Sequence, residues 1–211
     1  MKDCAAETLT VEELKAGHEV YIKNEPRDAM YNIATFLVRH FWNKPANMAD
    51  SIGVLLLTWN AGFYRFGLLD FNALQICIEQ NFATIAMFNG RDITTLSDSD
   101  KLTVQQMFAN FLLALKRHKY KKSPEAFSPV SVAKTFHLLA PKFFPLWDDA
   151  IAKAYGCHWG IDSRNAAAEY WTFVLKTRKV VEHLQGYSEE IRVLSERPIL
   201  KLVDEYNYSR F

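Results

Sequence analysis

Residues 128–156, SPVSVAKTFHLLAPKFFPLWDDAIAKAYG, decide the fold prediction for this chain. They predict a turn, a helix with Lys134 on its first turn, an apolar loop bounded by prolines, and a second helix that opens with Asp148 and Asp149. Lys134 and Asp148 therefore stand at the two ends of a helix–loop–helix turn. We expect the amine and the carboxylate to face one cleft.

The rest of the chain shows the period of amphipathic helices. Helices are predicted over 28–42, 50–59, 71–88, 101–116, 165–184, 188–194 and after Pro198. Asp50 is a candidate N-cap for the second of them, and Ser99 or Asp100 for the fourth. Residues 19–22 are the one weak strand candidate. The pattern predicts an all-α protein with roughly seven to ten helices.

The composition is that of a soluble globular protein, with 211 residues of which 49% are hydrophobic. A formal charge of +1 argues against a non-specific polyanion binder but permits a local basic face. The three cysteines are too few for a four-cysteine iron–sulfur cluster and form no CxxC pair, so no metal or cofactor is expected. Without an apolar leader or a run near the roughly 20 residues that span a bilayer, we expect a cytoplasmic protein.

The acidic pair and the lysine each have a structural and a chemical interpretation. Asp148 and Asp149 can simply cap a helix, but the apolar residues before them, ending in Trp147, favour a partly desolvated carboxylate that stabilises developing positive charge. Lys134 either keeps its ammonium in water or loses enough hydration to become a nucleophile. His137, three residues further on, is either a core histidine or a base.

Residues 128–156 resemble the helix-hairpin-helix and catalytic-aspartate segment of the DNA glycosylase superfamily, particularly its OGG-fold (8-oxoguanine-glycosylase-like) branch. In that family a hairpin contacts DNA phosphates, a lysine attacks C1′ of the damaged nucleotide, and an aspartate supports the oxocarbenium-like state. The resemblance gives the lysine's role to Lys134 in PVSVAK and the aspartate's role to Asp148 in PLWD. It implies a two-lobed helical fold within a single domain, with a cleft between lobes at approximately 45–125 and at 1–44 plus 126–211.

Residues 54–66, VLLLTWNAGFYRF, resemble the OGG-fold helix whose Asn-bearing loop enters the base stack after the target base has left. A helix end with its aromatic rings turned inward explains the same residues equally well. The candidates for filling the stack or lining a base pocket are Trp59, Asn60, Phe63, Tyr64, His137 and Trp147.

A basic run, KRHKYKK, occupies residues 116–122 just before the predicted hairpin. A solvated surface accounts for many such runs, but this position favours contact with DNA phosphates. The candidates for binding the DNA backbone are Arg65, Lys116, Arg117, Lys119, Lys121 and Lys122.

The sequence thus predicts a DNA glycosylase, a hydrolase that flips a damaged or modified base out of double-stranded DNA and cleaves its N-glycosidic bond. Abasic-site lyase activity follows if Lys134 attacks C1′. Repair and defence against phage DNA with hypermodified bases, such as modified cytosine, both fit. We expect a monomer that needs no cofactor, metal cluster or membrane. The rival prediction is a non-catalytic helical module that binds DNA or a protein through the basic face.

Overall fold

The computed structural model describes residues 9–120, 123–160 and 163–211, and within these ranges the chain is all-helical. Its α-helices are α1 (Val11–Asn24), α2 (Ala29–His40), α3 (Pro45–Trp59), α4 (Ala61–Tyr64), α5 (Phe71–Asn89), α6 (Lys101–Ala114), α7 (Pro129–Leu139), α8 (Asp149–Ala154), α9 (Ala166–Leu184), α10 (Ser188–Leu194) and α11 (Ile199–Arg210). Single 3-10 turns follow Asp92, Ser97 and Leu184. Across the same ranges, strand-like pairing is limited to isolated bridges. The all-α prediction is confirmed.

The helix boundaries correct two details of the sequence prediction. The strand candidate at 19–22 is wrong, because these residues lie inside α1. A capping box between Thr10 and Glu13 starts that helix, and a helix once nucleated propagates through short alternating segments. Asp50 is not an N-cap, because α3 already begins at Pro45, whose fixed φ suits a first helical turn.

Ser99 and Asp100 do not cap α6 through their side chains. The Asp100 carboxylate instead accepts two hydrogen bonds from the Arg91 guanidinium, at 2.8 and 2.7 Å. This paired geometry holds the pKa of Asp100 below its ordinary value, chiefly through the Arg91 hydrogen bond. The pair ties the end of α5 to the start of α6.

Helix α7 runs through the hydrophobic core. Phe136, which has no exposed surface, lies with its ring centroid 4.8 Å from that of Phe144 and 5.4 Å from that of Phe111. The rings of Phe108 and Tyr170 complete the cluster. Burying each such ring contributes about 1.5–3 kcal/mol, so this cluster fixes the position of α7 firmly.

Helix α11 packs closely along α1. A Cβ atom on Gly17 of α1 would lie only 2.6 Å from the Cα atom of Tyr206, so the approach of the two backbones requires glycine. The contact holds α11 against the N-terminal part of the fold. As a result, residues 201–208 lie close to residues of α1, α2 and α7.

Candidate active site

A cleft of about 280 Å³ opens where α7, α8 and α11 meet the N-terminal helices. It is lined by Tyr21, Glu25, Asp28, Ala29, Met30, Trp59, Lys134, Leu146, Trp147, Asp148, Ile151, Asp204 and Tyr208. The cleft thus brings Lys134 and Asp148 together, as the helix–loop–helix pattern suggests. Among the described residues of 45–125, Trp59 is the one that lines the cleft. The other lining residues belong to 1–44 and 126–211.

Lys134 lies in the second turn of α7, not the first, because the helix begins at Pro129. Its Nζ donates a hydrogen bond to the backbone oxygen of Trp59 at 2.8 Å and lies 4.5 Å from the centre of a Trp59 ring. Burial lowers the pKa of Lys134 from its ordinary 10.5 to about 8, against the attraction of Asp204 and Asp148. About a tenth of the amine is therefore neutral at pH 7.

The neighbouring carboxylates of Asp148 and Asp149 have different surroundings. Asp148 is half-buried, lines the cleft and caps α8 through a 2.8 Å hydrogen bond from the Ile151 amide to Oδ1. Asp149 is exposed and pairs with Lys153 and His158. The hydrogen bond with Lys153 is the main cause that lowers the pKa of Asp149. Only the first carboxylate of the pair is among the residues that line the cleft.

Asp204, which is absent from the sequence predictions, is a further charged group in this cleft, beside Glu25 and Asp28. It lies on α11, and its Oδ2 accepts a hydrogen bond from Lys201 at 3.2 Å. Burial raises the pKa of Asp204, while Lys201 opposes the rise. The segment KLVDE, residues 201–205, does contain a signal for this pair. Lys201 and Asp204 are three residues apart, with Leu202 and Val203 between them, so on a helix the two charged side chains share one face.

Lys201 is fully buried behind the cleft and holds several carboxylates in place. Its Nζ is 3.7 Å from an oxygen of Asp28 and 3.7 Å from one of Glu205, and it lies 4.2 Å from the centre of the Tyr21 ring. Arg197 pairs with the same two carboxylates. Buried charges are tolerated when they are paired in this way, so this ionic cluster forms a stiff support for the cleft.

Asp28 shows how the ionic cluster overrides local geometry. It precedes α2 with a left-handed φ of 40° and makes no side-chain cap. Its carboxylate instead accepts hydrogen bonds from the Tyr21 hydroxyl and the Arg197 guanidinium, both at 2.8 Å. An aspartate before a helix is ordinarily expected to cap it. The Asp28 carboxylate instead pairs with residues that are distant in the sequence or in another helix.

His137 and Trp147 are both buried. His137 has no exposed surface and lies behind the cleft, with Nδ1 2.8 Å from the Phe144 oxygen and Nε2 3.1 Å from the Tyr31 hydroxyl. Burial lowers the pKa of His137 to about 3, so the ring is neutral. Trp147 contributes to the cleft wall, although only 1% of its surface is exposed. Its ring packs against those of Tyr170 and Phe173.

Asn60 joins the end of α3 to the start of α7. Its amide donates hydrogen bonds to the hydroxyls of Ser128 at 3.1 Å and Ser131 at 2.8 Å. Tyr64 is buried, and its hydroxyl donates to the Leu115 oxygen at 2.8 Å. These two side chains therefore hold the end of α3, with Trp59, against α7. This agrees with the interpretation of residues 54–66 as a helix end whose aromatic rings are turned inward.

Phe63 and Arg65 lie further from the cleft. The ring of Phe63 is partly buried and meets the Tyr64 ring edge-on, with the Arg117 guanidinium 5.0 Å from its centre. Arg65 is exposed and lies 4.4 Å from the centre of the Phe66 ring. Arg65 is therefore available on the surface, whereas Phe63 serves packing.

The basic run is partly committed to internal contacts. Lys116 pairs with Glu125 at 2.8 Å. Arg117 donates to the backbone oxygens of Phe63 at 3.0 Å and Pro124 at 3.3 Å. Lys119 is exposed. The two remaining candidates, Lys121 and Lys122, lie outside the described residues.

Comparison with family models, with curated proteins and with solved structures gave no match. Within 9–120, 123–160 and 163–211, no helix is both long and apolar enough to pass through a bilayer. The same ranges hold no group of three or more His, Cys, Asp or Glu side chains arranged to bind a metal ion.

Proposed function

We propose that this protein is a DNA glycosylase that receives an everted base and its sugar in the cleft. The observation that carries the proposal is the shared cleft of Lys134 and Asp148, in which burial makes the amine a stronger candidate nucleophile. The proposal includes two helical lobes, of which 45–125 contributes Trp59 to the cleft, and action as a monomer on double-stranded DNA.

In the proposed reaction, Asp148 stabilises the positive charge that develops on the sugar as the N-glycosidic bond breaks. Its Oδ1 is held by the Ile151 amide, so the carboxylate needs little reorganisation. The neutral amine of Lys134 forms a bond to C1′, the base leaves with the bonding electrons, and the proton shed by the new ammonium neutralises the base. In the alternative course, water attacks C1′ and Lys134 braces the sugar.

The backbone of the DNA would be bound by exposed cations after α4 and in the basic run before α7. Lys119 and Arg65 are exposed and are the described candidates. Lys116 and Arg117 shape the loop instead, because their side chains are engaged with Glu125, Phe63 and Pro124. We include Lys121 and Lys122 in the proposed contact by sequence alone.

The adjacent aspartates provide a matched test of the glycosylase proposal. Strand scission after alkali treatment is measured on duplexes with oxidised, alkylated, deaminated and phage-type modified bases, using the wild-type chain, Asp148→Asn and Asp149→Asn. We expect Asp148→Asn to lose at least about a hundredfold in rate, the scale of removing one preorganised charge-stabilising group, and Asp149→Asn to retain activity. Equal activity of the two variants contradicts the assignment of Asp148.

Trapping with borohydride separates the two courses of the reaction. A covalent protein–DNA adduct that forms with the wild-type chain and disappears in Lys134→Gln supports attack by the amine. Base release without an adduct supports attack by water. Lys142→Gln, which removes an exposed lysine outside this cleft, is the matched control.

The rival function, a non-catalytic module, is favoured by one surface feature. Ile33 on α2 and Val54 on α3 are 59% and 58% exposed and line one apolar groove, and Phe36 on α2 is 60% exposed. Neighbouring large apolar side chains with this much exposure are unusual. A module that binds a protein through this surface would not need Asp148. Failure of the wild-type chain to release any base from the duplex panel, with folding verified, favours the module.

A further inference from the structure

Asp204 is one of three carboxyl groups in the cleft, with Glu25 and Asp28, that the proposed reaction does not use. Its Oδ2 accepts a hydrogen bond from Lys201, whereas Oδ1 has no hydrogen-bond partner in the part of the chain that the structure describes. The side chain is 14% exposed, and Oδ1 is not among the buried atoms of the described residues that lack a partner, so water reaches this oxygen. A ligand that brings a hydrogen-bond donor would displace this water and bond to Oδ1 directly.

The walls around Asp204 suit a flat ligand. Trp59, Trp147, Tyr21 and Tyr208 all line the same cleft, and aromatic rings stack readily on heteroaromatic bases. The volume of about 280 Å³ lies just below the roughly 300–1,000 Å³ typical of ligand pockets. A cleft of this size suits one everted nucleotide and not a longer ligand.

Lys201 keeps the Asp204 carboxylate in a defined position and opposes the rise in its pKa that burial causes. The lysine is completely buried, and it is held from other sides by Asp28, Glu205 and the ring of Tyr21. Because its partner Lys201 is held in this way, the Asp204 side chain has a fixed rotamer. A residue with a fixed rotamer can discriminate between ligands that differ by one polar group. An ionised carboxylate accepts hydrogen bonds and donates none.

We propose that Asp204 selects the base, with Oδ1 accepting a hydrogen bond from an exocyclic amino group. Bases of the cytosine and adenine type are then accepted, and bases of the uracil and thymine type, which place a carbonyl oxygen at that position, are rejected. Two acceptors facing each other would both stay unpaired, and a site built around a hydrogen bond discriminates strongly in this situation. As a statement about the excised base, this inference rests on the proposed function.

Binding of free cytosine and free uracil to the full chain tests the inference, because the two bases differ chiefly in the C4 amino group against a C4 carbonyl. Dissociation constants come from ligand-observed NMR titration. We expect the wild-type chain to bind cytosine at least about tenfold more tightly than uracil. Asp204→Asn offers an amide that can donate or accept, so the preference should shrink to within about twofold. Asp149→Asn, with its change outside the cleft, should keep the wild-type preference.

Equal binding of the two bases by the wild-type chain overturns the proposal, and so does an unchanged preference in Asp204→Asn. If that variant does not fold, the wild-type comparison decides alone, and adenine against hypoxanthine repeats it with a second matched pair. A clear preference without release of any base from DNA supports selection by Asp204 and refutes the glycosylase proposal. Base release from DNA with no preference among free bases refutes the selection alone.

Discussion

Replacing Lys134 with methionine should make the protein more stable at neutral pH. The fold lowers the pKa of this amine from 10.5 to about 8, chiefly by burial, so the charged form is disfavoured in the folded state. That difference corresponds to about 3 kcal/mol of unfavourable free energy wherever the lysine is protonated in both states. Methionine keeps most of the apolar stem without the charge.

The gain from Lys134→Met is reduced by one lost hydrogen bond. The ammonium donates to the Trp59 oxygen at the end of α3, and losing this bond costs about 1 kcal/mol. We therefore expect the free energy of unfolding at pH 7 to rise by about 2 kcal/mol in the variant. The wild-type penalty is complete below pH 8 and disappears as the pH rises from 8 to 10.5, so the advantage of the variant should vanish near pH 10.5.

Urea unfolding followed by far-UV circular dichroism, at pH 7 and pH 10.5, measures this difference. Lys153→Met is the matched control, because Lys153 is an exposed lysine on α8 and its replacement should change stability little at either pH. A variant Lys134→Met that is less stable than the wild-type chain at pH 7 would refute the reasoning. A difference that is the same at both pH values would do so as well, since it would mean that the amine is hydrated in the fold.

Asn60→Ala should lower the free energy of unfolding by about 1–3 kcal/mol, because the hydroxyls at the start of α7 lose a shared donor. Urea unfolding measures this free energy. An unchanged value would show that water replaces the amide. Gly17→Ala should lower the melting temperature, since the added Cβ would meet the α11 backbone at 2.6 Å. Gly62→Ala is the control, because nothing lies within 4 Å of a Cβ at that position. Equal melting temperatures of the two variants would contradict the close packing of α1 and α11. Lys119→Gln should reduce the slope of log binding constant against log salt for duplex DNA by about one, and an unchanged slope would remove this residue from the backbone contact.

Most of the helices follow from the sequence, because the signals that define them act over a few residues. The apolar period of 28–42 and 165–184 predicts α2 and α9 to within a few positions. The error at 19–22 has the same origin, since four alternating residues imitate a strand although a capping box before them begins a helix. The capping aspartates show the limit of such signals. Asp148 does cap α8, but Asp28 and Asp100 bond to arginines instead.

The sequence by itself determined the helical class of the protein and the placement of Lys134 and Asp148 around one apolar turn, since helix periods, prolines and caps are local. Only the tertiary structure decided which groups share the cleft. It turned Asp148 inward and Asp149 outward, brought Asp204 from the last helix to the same walls, and placed His137 in the core. The physical reason is that desolvation and ion pairing depend on which distant segments pack against a side chain. The reactivity of Lys134 is therefore a property of α3, α8 and α11 as much as of its own helix.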